Sequence, residues 1–243
     1  MAAMTIAKGG FLERSISVHG VAHLYRVWVP AGYTRDRRWP AILFLHGSGE
    51  RGSDGVKQTQ AGLGPALADG SAAVAAIVVF PQCPENEHWV GPAREIALAA
   101  LDAVEQEFSI DRQRVSITGM SMGGAGAWVL AAEDRQRWSA AAPVCAWVVR
   151  PVALTSIPDN KLPWLAEGED RPREVARRLE TLPVWILHGS ADTVVPVSES
   201  RRMASLLGAR AAYTEFAGVG HNAWDPAYRT TGVVAWLVRQ RRR

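Results

Sequence analysis

Val115-Ser116-Ile117-Thr118-Gly119-Met120-Ser121-Met122-Gly123-Gly124-Ala125-Gly126-Ala127-Trp128 is the stretch that decides the fold. A short β-branched run leads straight into Gly-x-Ser-x-Gly, and a small-residue helical stretch follows. Strand, tight turn and helix in that order form the setting of a nucleophile elbow. Gly119 and Gly123 lack Cβ atoms, so strand and helix can approach closely while Ser121 takes a strained backbone conformation. A helix opening at Ser121 aims free N–H groups and its positive end at charge developing beside Oγ. The bare pattern also fits a purely structural Gly-rich junction, so the chemical reading depends on finding partners.

On the N-terminal side, Ser15 to Val18 and Leu24 to Val29 alternate around His19-Gly20 and read as an antiparallel hairpin. Ala41 to Leu45 and Ala76 to Phe80 are continuous apolar runs of strand length, as expected of strands buried on both faces. The first ends in the Gly-rich loop His46 to Gly52. Gly62 to Ala68 reads as helical. Pro92 to Phe108 carries an apolar stripe at helical spacing (Ile96, Ala99, Ala100, Ala103, Val104, Phe108), with Pro92 suited to the first turn. Beyond the elbow come strands at Ala140 to Val144, Val184 to Leu187 and Ala211 to Phe216. A helix over Ser198 to Leu207, with Ser198 as its cap, and a closing helix over Pro226 to Arg239 complete the reading. Strands alternate with helices from residue 41 onward, which predicts a mostly parallel sheet covered on both faces, with the hairpin at its antiparallel edge. Ligands bind outside the carboxyl ends of such strands. Ser121, the loop at Ser48, Asp192 and His221 all fall at those ends.

The 243 residues suit a single α/β domain over 1–243, and the 48% hydrophobic and 21% charged composition is that of an ordinary globule. Net charge is only +3, and the Arg clusters at Arg171 to Arg178 and Arg239 to Arg243 lack aromatic interleaving. They read as solvated faces and a frayed end, with no nucleic-acid partner. No apolar run approaches the roughly 20 residues of a membrane span. The first ten residues lack a basic start followed by an apolar core, so the expected compartment is the cytoplasm. One segment breaks the rhythm: 146–183 is longer than a short turn plus one helix requires. It holds Trp147, Pro151, Pro158, Asp159, Pro163, Trp164, an acidic patch at Glu167 to Asp170 and a basic helix at Arg173 to Leu179. Either it is a surface excursion before the crossover helix, or it is a short lid whose apolar residues face substrate.

A serine needs a base within hydrogen-bond reach and a third group to orient that base. Among the six histidines, His221 has the best context, after a strand and a flexible Gly-Val-Gly turn. His46 and His188 each end a buried strand before Gly and read as caps on strand-end backbone groups. His19, His23 and His88 form no ligand set. Asp192 follows the strand ending at His188 and would hold the imidazole tautomer and stabilise the imidazolium. The rival acids are Asp225, too near His221 to turn back easily, and Asp159. Serine, acid, histidine is the chain order of the α/β-hydrolase fold. An acyl-transfer oxyanion needs two preorganised backbone donors. Met122 supplies one as the residue after the nucleophile, and Ser48 or Gly49 is the candidate for the other. Glu50 and Arg51 read as an ion pair stabilising that loop.

With these residues placed, the chain resembles the α/β-hydrolase superfamily. Within it, the chain is similar to the esterase group labelled predicted peptidases or phospholipase/carboxylesterase-like proteins, with feruloyl-esterase and polyester-depolymerase relatives. The matching stretches are Leu43 to Gly52, Pro81-Gln82-Cys83-Pro84, Gly119 to Gly124, His188 to Pro196 and His221 to Tyr228. The resemblance implies cleavage of carboxylic esters through an acyl-enzyme on serine, no cofactor, and an eight-stranded sheet in the order 1-2-4-3-5-6-7-8. In that order the strands ending near Cys83 and Cys145 stand three positions apart, roughly 14 Å, against the about 7 Å limit for a disulfide. Neither cysteine lies in a metal-spaced or Cys-x-x-Cys cluster, so two free thiols are expected. The longer segment before Val184 departs from the family pattern and leaves substrate preference open. Trp89 and Trp224 flank strand-end loops and are candidates, with Gly49, Trp147 and Trp164, for an acyl or aryl pocket; both also fit a core role.

The expected function is a serine carboxylesterase acting on short-chain or aryl esters, its partner a small-molecule or polymer-linked ester. A peptidase, lactonase, thioesterase or polyester hydrolase would use the same triad. A non-catalytic small-molecule receptor on the same fold is the alternative from a different class.

Overall fold

Along Ala41 to Leu45 every side chain is fully buried, and successive residues enter opposite cores. Ala41, Leu43 and Leu45 join one apolar cluster, while Ile42 and Phe44 join the other. That is the period-two geometry of a strand covered on both faces. The computed structural model describes residues 9–157, 162 and 164–242. The readings placed on the first eight residues, Pro158, Asp159 and Pro163 lie outside the described residues.

Eight strands alternate with seven α-helices among the described residues: β1 (Gly10–Val18), β2 (Val21–Val29), β3 (Trp39–Leu45), α1 (Leu63–Ala68), β4 (Ile77–Pro81), α2 (Ala93–Glu107), β5 (Ile110–Met120), α3 (Met122–Glu133), β6 (Ala141–Val144), α4 (Arg171–Leu179), β7 (Val184–Gly189), α5 (Ser198–Leu207), β8 (Ala211–Phe216), α6 (Trp224–Thr230) and α7 (Val233–Arg239). They form one sheet in the order β1-β2-β4-β3-β5-β6-β7-β8. The β1–β2 and β2–β4 pairs are antiparallel and the others parallel. Helices α2, α3, α4 and α5 cover one face, and α1, α6 and α7 cover the other. The expected architecture and strand order are those observed. The hairpin turns at His19-Gly20, both at positive φ (51° and 78°), which matches the right-handed twist of the strands it joins.

Several boundaries differ from expectation, each for a local reason. The hairpin strands begin earlier, with Gly10 pairing Val29 and Phe11 pairing Trp28. The C-terminal helix is two helices, broken where Gly232 takes φ 75°, a left-handed conformation that a continuous helix does not contain. Ser198 is the first residue of α5 rather than its cap; Val197 occupies that position without a side-chain bond. The Arg-rich tail is anchored through Arg242: Arg241 pairs with Asp111 at 3.0 Å, and the Arg242 N–H donates to the Gln113 carbonyl at 2.7 Å. The segment read as a lid buries Trp147, Val148 and Ile157 in the core cluster on the α3–α4 side. Cys83 and Cys145 are free and buried. Among the described residues, no helix is long and apolar enough to cross a membrane.

Candidate active site

Two glycines set the elbow. A Cβ on Gly123 would collide with the Leu45 carbonyl, and one on Gly119 with the Gly123 carbonyl. Their absence lets the first turn of α3 sit directly on the ends of β3 and β5. Between them Ser121 adopts φ 53° and ψ −118°, a conformation that costs a non-glycine residue of order 1–3 kcal/mol. The surroundings over-determine it: Ser121 N–H donates to the Val144 carbonyl at 2.9 Å, and Ala125 N–H returns to the Ser121 carbonyl at 3.0 Å. Every residue of α3 from Met122 to Ala132 is buried, which the Gly-Gly-Ala-Gly-Ala run makes sterically possible.

Sheet register brings the other loops to the same edge. Leu45 lies opposite Gly119, so the loop after β3 leaves beside the elbow. Val144 pairs with both Met120 and Leu187, and Gly189 with Phe216, which lines up the ends of β5, β6, β7 and β8. The backbone of Val219 and Gly220 crosses so close over Gly189 that no Cβ would fit there. Ala191 N–H donates to the Val219 carbonyl at 2.9 Å, tying the Asp192 turn to the His221 loop.

These constraints bring Ser121, His221 and Asp192 together. Ser121 Oγ lies 3.0 Å from His221 Nε2, and His221 Nδ1 lies 2.7 Å from Asp192 Oδ2. Because Asp192 Oδ2 can only accept, the proton sits on Nδ1 and Nε2 is left to accept from the serine hydroxyl. Asp192 Oδ1 accepts from the N–H groups of Val194 and Val195 at 2.8 and 2.9 Å, and Oδ2 also accepts from His188 Nε2 at 3.1 Å. Burial is the largest influence on this carboxyl and pushes its pKa up. Four donors, led by His188 and His221, outweigh it and hold the group well below the usual carboxylate range. The Asp192 side chain has no exposure while His221 keeps 19%, so the carboxylate is sealed and the imidazole is reachable.

The remaining candidates divide. Met122 opens α3, where first-turn N–H groups have no intrahelical acceptor, and Ser48 and Gly49 open a single 3-10 turn over Ser48–Glu50 directly after β3. Trp224 packs edge-on against the His221 ring, centroids 5.4 Å apart. Trp89 is not a pocket wall. It is fully buried, its Nε1–H donates to the His46 carbonyl at 2.9 Å, and its ring meets the His46 ring edge-on. Trp164 packs under the Arg178 guanidinium of α4, 4.3 Å from the ring centre, and Trp147 is buried in the core. Glu50 and Arg51 form no ion pair. Arg51 Nε donates to the Ser48 carbonyl at 3.0 Å, while the Glu50 carboxylate turns to the N–H groups of Gly47 and itself. Burial pushes the Glu50 pKa up, against those two donors. Asp225 N–H donates to the Asn222 carbonyl at the head of α6, and its carboxylate makes no hydrogen bond to His221.

His46 caps backbone as expected: Cys83 N–H donates to its Nε2 at 3.0 Å, and its Nδ1–H donates to the Gly47 carbonyl at 2.6 Å. His188 does more than cap a strand: it also donates to Asp192, a bond whose mark in the sequence is the four-residue spacing of the two side chains across one tight strand-end turn. Among the described residues, no group of three or more His, Cys, Asp or Glu could hold a metal ion.

A mostly parallel sheet in this strand order, with a strained serine between β5 and α3, defines the chain as an α/β-hydrolase. The chain belongs to the Esterase family, whose model matches residues 23–228. A thermostable esterase of known structure is 28% identical and superposes with a TM-score of 0.77 over 96% of this chain; the chain spans 63% of that protein's length. A fluorophosphonate-binding serine hydrolase from Staphylococcus aureus is 18% identical with a TM-score of 0.71, the match covering 96% of this chain and 100% of that one. The feruloyl esterase module from Clostridium thermocellum complexed with sinapinate is 15% identical with a TM-score of 0.67, over 92% of this chain and 85% of that one. The last two share the fold.

Proposed function

We propose that the chain is a serine carboxylesterase for short-chain or aryl carboxylic esters, with Ser121 as nucleophile, His221 as base and Asp192 as its orienting acid. The observation that carries this reading is the continuous path from Ser121 Oγ through His221 to Asp192, at 3.0 and 2.7 Å. Membership of the Esterase family favours ester over amide substrates. The sinapinate carried by the feruloyl esterase module makes aryl acyl groups a natural arm of the test.

In this mechanism the Ser121 hydroxyl gives its proton to His221 Nε2 as Oγ attacks the ester carbonyl. Asp192 stabilises the imidazolium that forms. The N–H groups of Met122 and Ser48 take the oxyanion, a contribution of several kcal/mol in comparable sites. Collapse breaks the carbonyl–alkoxy bond, and the proton on Nε2 passes to the leaving alcohol. A water then gives its proton to Nε2 and attacks the acyl carbon, and Ser121 Oγ recovers the proton as the carboxylic acid leaves.

The test is hydrolysis of p-nitrophenyl acetate, p-nitrophenyl butyrate, methyl ferulate, a lactone, a thioester, a soluble polyester and a peptidyl anilide by the wild type and Ser121→Ala. The reading predicts highest turnover on the simple or aryl esters and loss of at least about 10⁴-fold in the variant. Undiminished turnover by a folded Ser121→Ala protein would overturn it, and a preference for the anilide would transfer the same triad to a peptidase.

A further inference from the structure

His188 is fully buried and has no part in the chemistry above, yet it donates to the carboxylate oxygen that receives His221. Its Nε2 faces two atoms that can only accept, Asp192 Oδ2 at 3.1 Å and the Val195 carbonyl at 3.0 Å, so the hydrogen is on Nε2 and shared between them. Its Nδ1 lies 2.7 Å from the Oγ of Ser200, a buried residue of α5, and in the neutral ring accepts that hydroxyl's hydrogen. Asp192 Oδ1 is meanwhile held by two backbone N–H groups. The carboxylate is therefore fixed at both oxygens, and among the described residues His188 is the only side-chain donor on it besides His221.

Resting on the reading of Ser121, His221 and Asp192 as a triad, we propose that His188 is a positioning residue: oriented by Ser200 and the Val195 carbonyl, its Nε2–H sets the angle and charge of Asp192 Oδ2 toward His221. A strand cap would be satisfied by the Val195 carbonyl alone. The shared hydrogen draws charge from the oxygen that must hold the His221 imidazolium, so His188 tempers how strongly Asp192 favours that cation. The other ionisable groups facing the pair are few. Glu215 stands in register with His188 on β8, its carboxylate taken by Arg201 at 2.6 and 2.9 Å and by the Tyr213 hydroxyl at 2.5 Å. Cys145, at the end of β6, has its thiol pushed well up by burial and stays neutral.

Three variants test this: His188→Leu removes the donor, His188→Gln keeps an N–H at a similar reach, and Ser200→Ala frees the ring without touching Asp192. Each is assayed on p-nitrophenyl butyrate, with active sites counted by the burst of a phosphorylating ester. Asp192 Oδ2 is then no longer held at the angle His221 requires, and that misplacement predicts that His188→Leu loses about tenfold to a hundredfold in kcat per active site, although the freed carboxylate favours the imidazolium more strongly. KM should stay within about twofold, as for an interaction realised in the transition state. The acid limb of kcat/KM should move to higher pH, because Asp192 then favours protonated His221 more strongly. His188→Gln should recover most of kcat, and Ser200→Ala should shift both quantities in the Leu direction by a smaller factor. Unchanged kcat and acid limb in His188→Leu, or in Ser200→Ala where the Leu protein is insoluble, would reduce His188 to a structural residue. If instead wild-type turnover survives Ser121→Ala, the triad reading itself fails.

Discussion

Asp192→Asn is the substitution for which the structure makes the most quantitative demand. Asp192 accepts from four donors, two on each oxygen: Val194 and Val195 N–H at Oδ1, His188 and His221 at Oδ2. An asparagine amide has one oxygen and one NH₂, so one pair of donors must face another donor. The backbone N–H groups cannot turn away, so the amide oxygen takes the Oδ1 position and the NH₂ faces the two imidazoles. His221 must then present a bare Nδ1, which places its hydrogen on Nε2, pointing at Ser121, and the base is lost. A wrong tautomer with intact geometry costs about 10⁴ in kcat, roughly 5.5 kcal/mol at 1.36 kcal/mol per decade. The assay is p-nitrophenyl butyrate turnover per folded molecule, with the fold checked by circular dichroism. Activity within about tenfold of wild type would refute the tautomer argument, since no orientation of the amide serves all four donors.

Further outcomes follow from buried groups elsewhere. Gly123→Ala places a methyl against the Leu45 carbonyl and should cost about 3 kcal/mol or more, read as a drop in denaturant midpoint. Trp89→Phe leaves the His46 carbonyl without its indole donor and should cost about 2 kcal/mol while leaving turnover per folded molecule unchanged. Burial lowers the His46 pKa from 6.5 to about 4, against its bond to the Gly47 carbonyl. The unfolded chain therefore takes up a proton near pH 6.5 that the folded chain refuses until about 4. That stability is present above pH 6.5 and lost as pH falls through 4, about 3 kcal/mol in all. Urea unfolding from pH 7.5 to 4 should show this slope, and His46→Gln should flatten it.

The middle of the sheet was legible because β3, β4 and β6 are buried on both faces, and such strands read as unbroken apolar runs. The elbow was legible because the steric demand at Gly119 and Gly123 excludes every other residue. What escaped the sequence depends on partners distant in the chain. Trp89 carries no mark to distinguish a core indole from a pocket wall; the distinction lies in the His46 carbonyl it meets. The break at Gly232 is hidden because Val233, Val234 and Leu237 continue an apolar pattern that a single helix would also satisfy. Glu50 and Arg51 have opposite charges side by side, yet each finds a nearer backbone partner in the turn. His188 read as a cap because its hydrogen bond to Asp192 exists only once the turn after β7 closes.

The most direct test of the account is covalent trapping of the nucleophile. Wild-type protein treated with a fluorophosphonate should gain one phosphonyl group, mapped by peptide mass spectrometry to Ser121, with ester hydrolysis lost in proportion. Ser121→Ala should take up none, and Asp192→Asn should react far more slowly. An adduct on another residue, or complete loss of hydrolysis with Ser121 unmodified, would contradict the assignment.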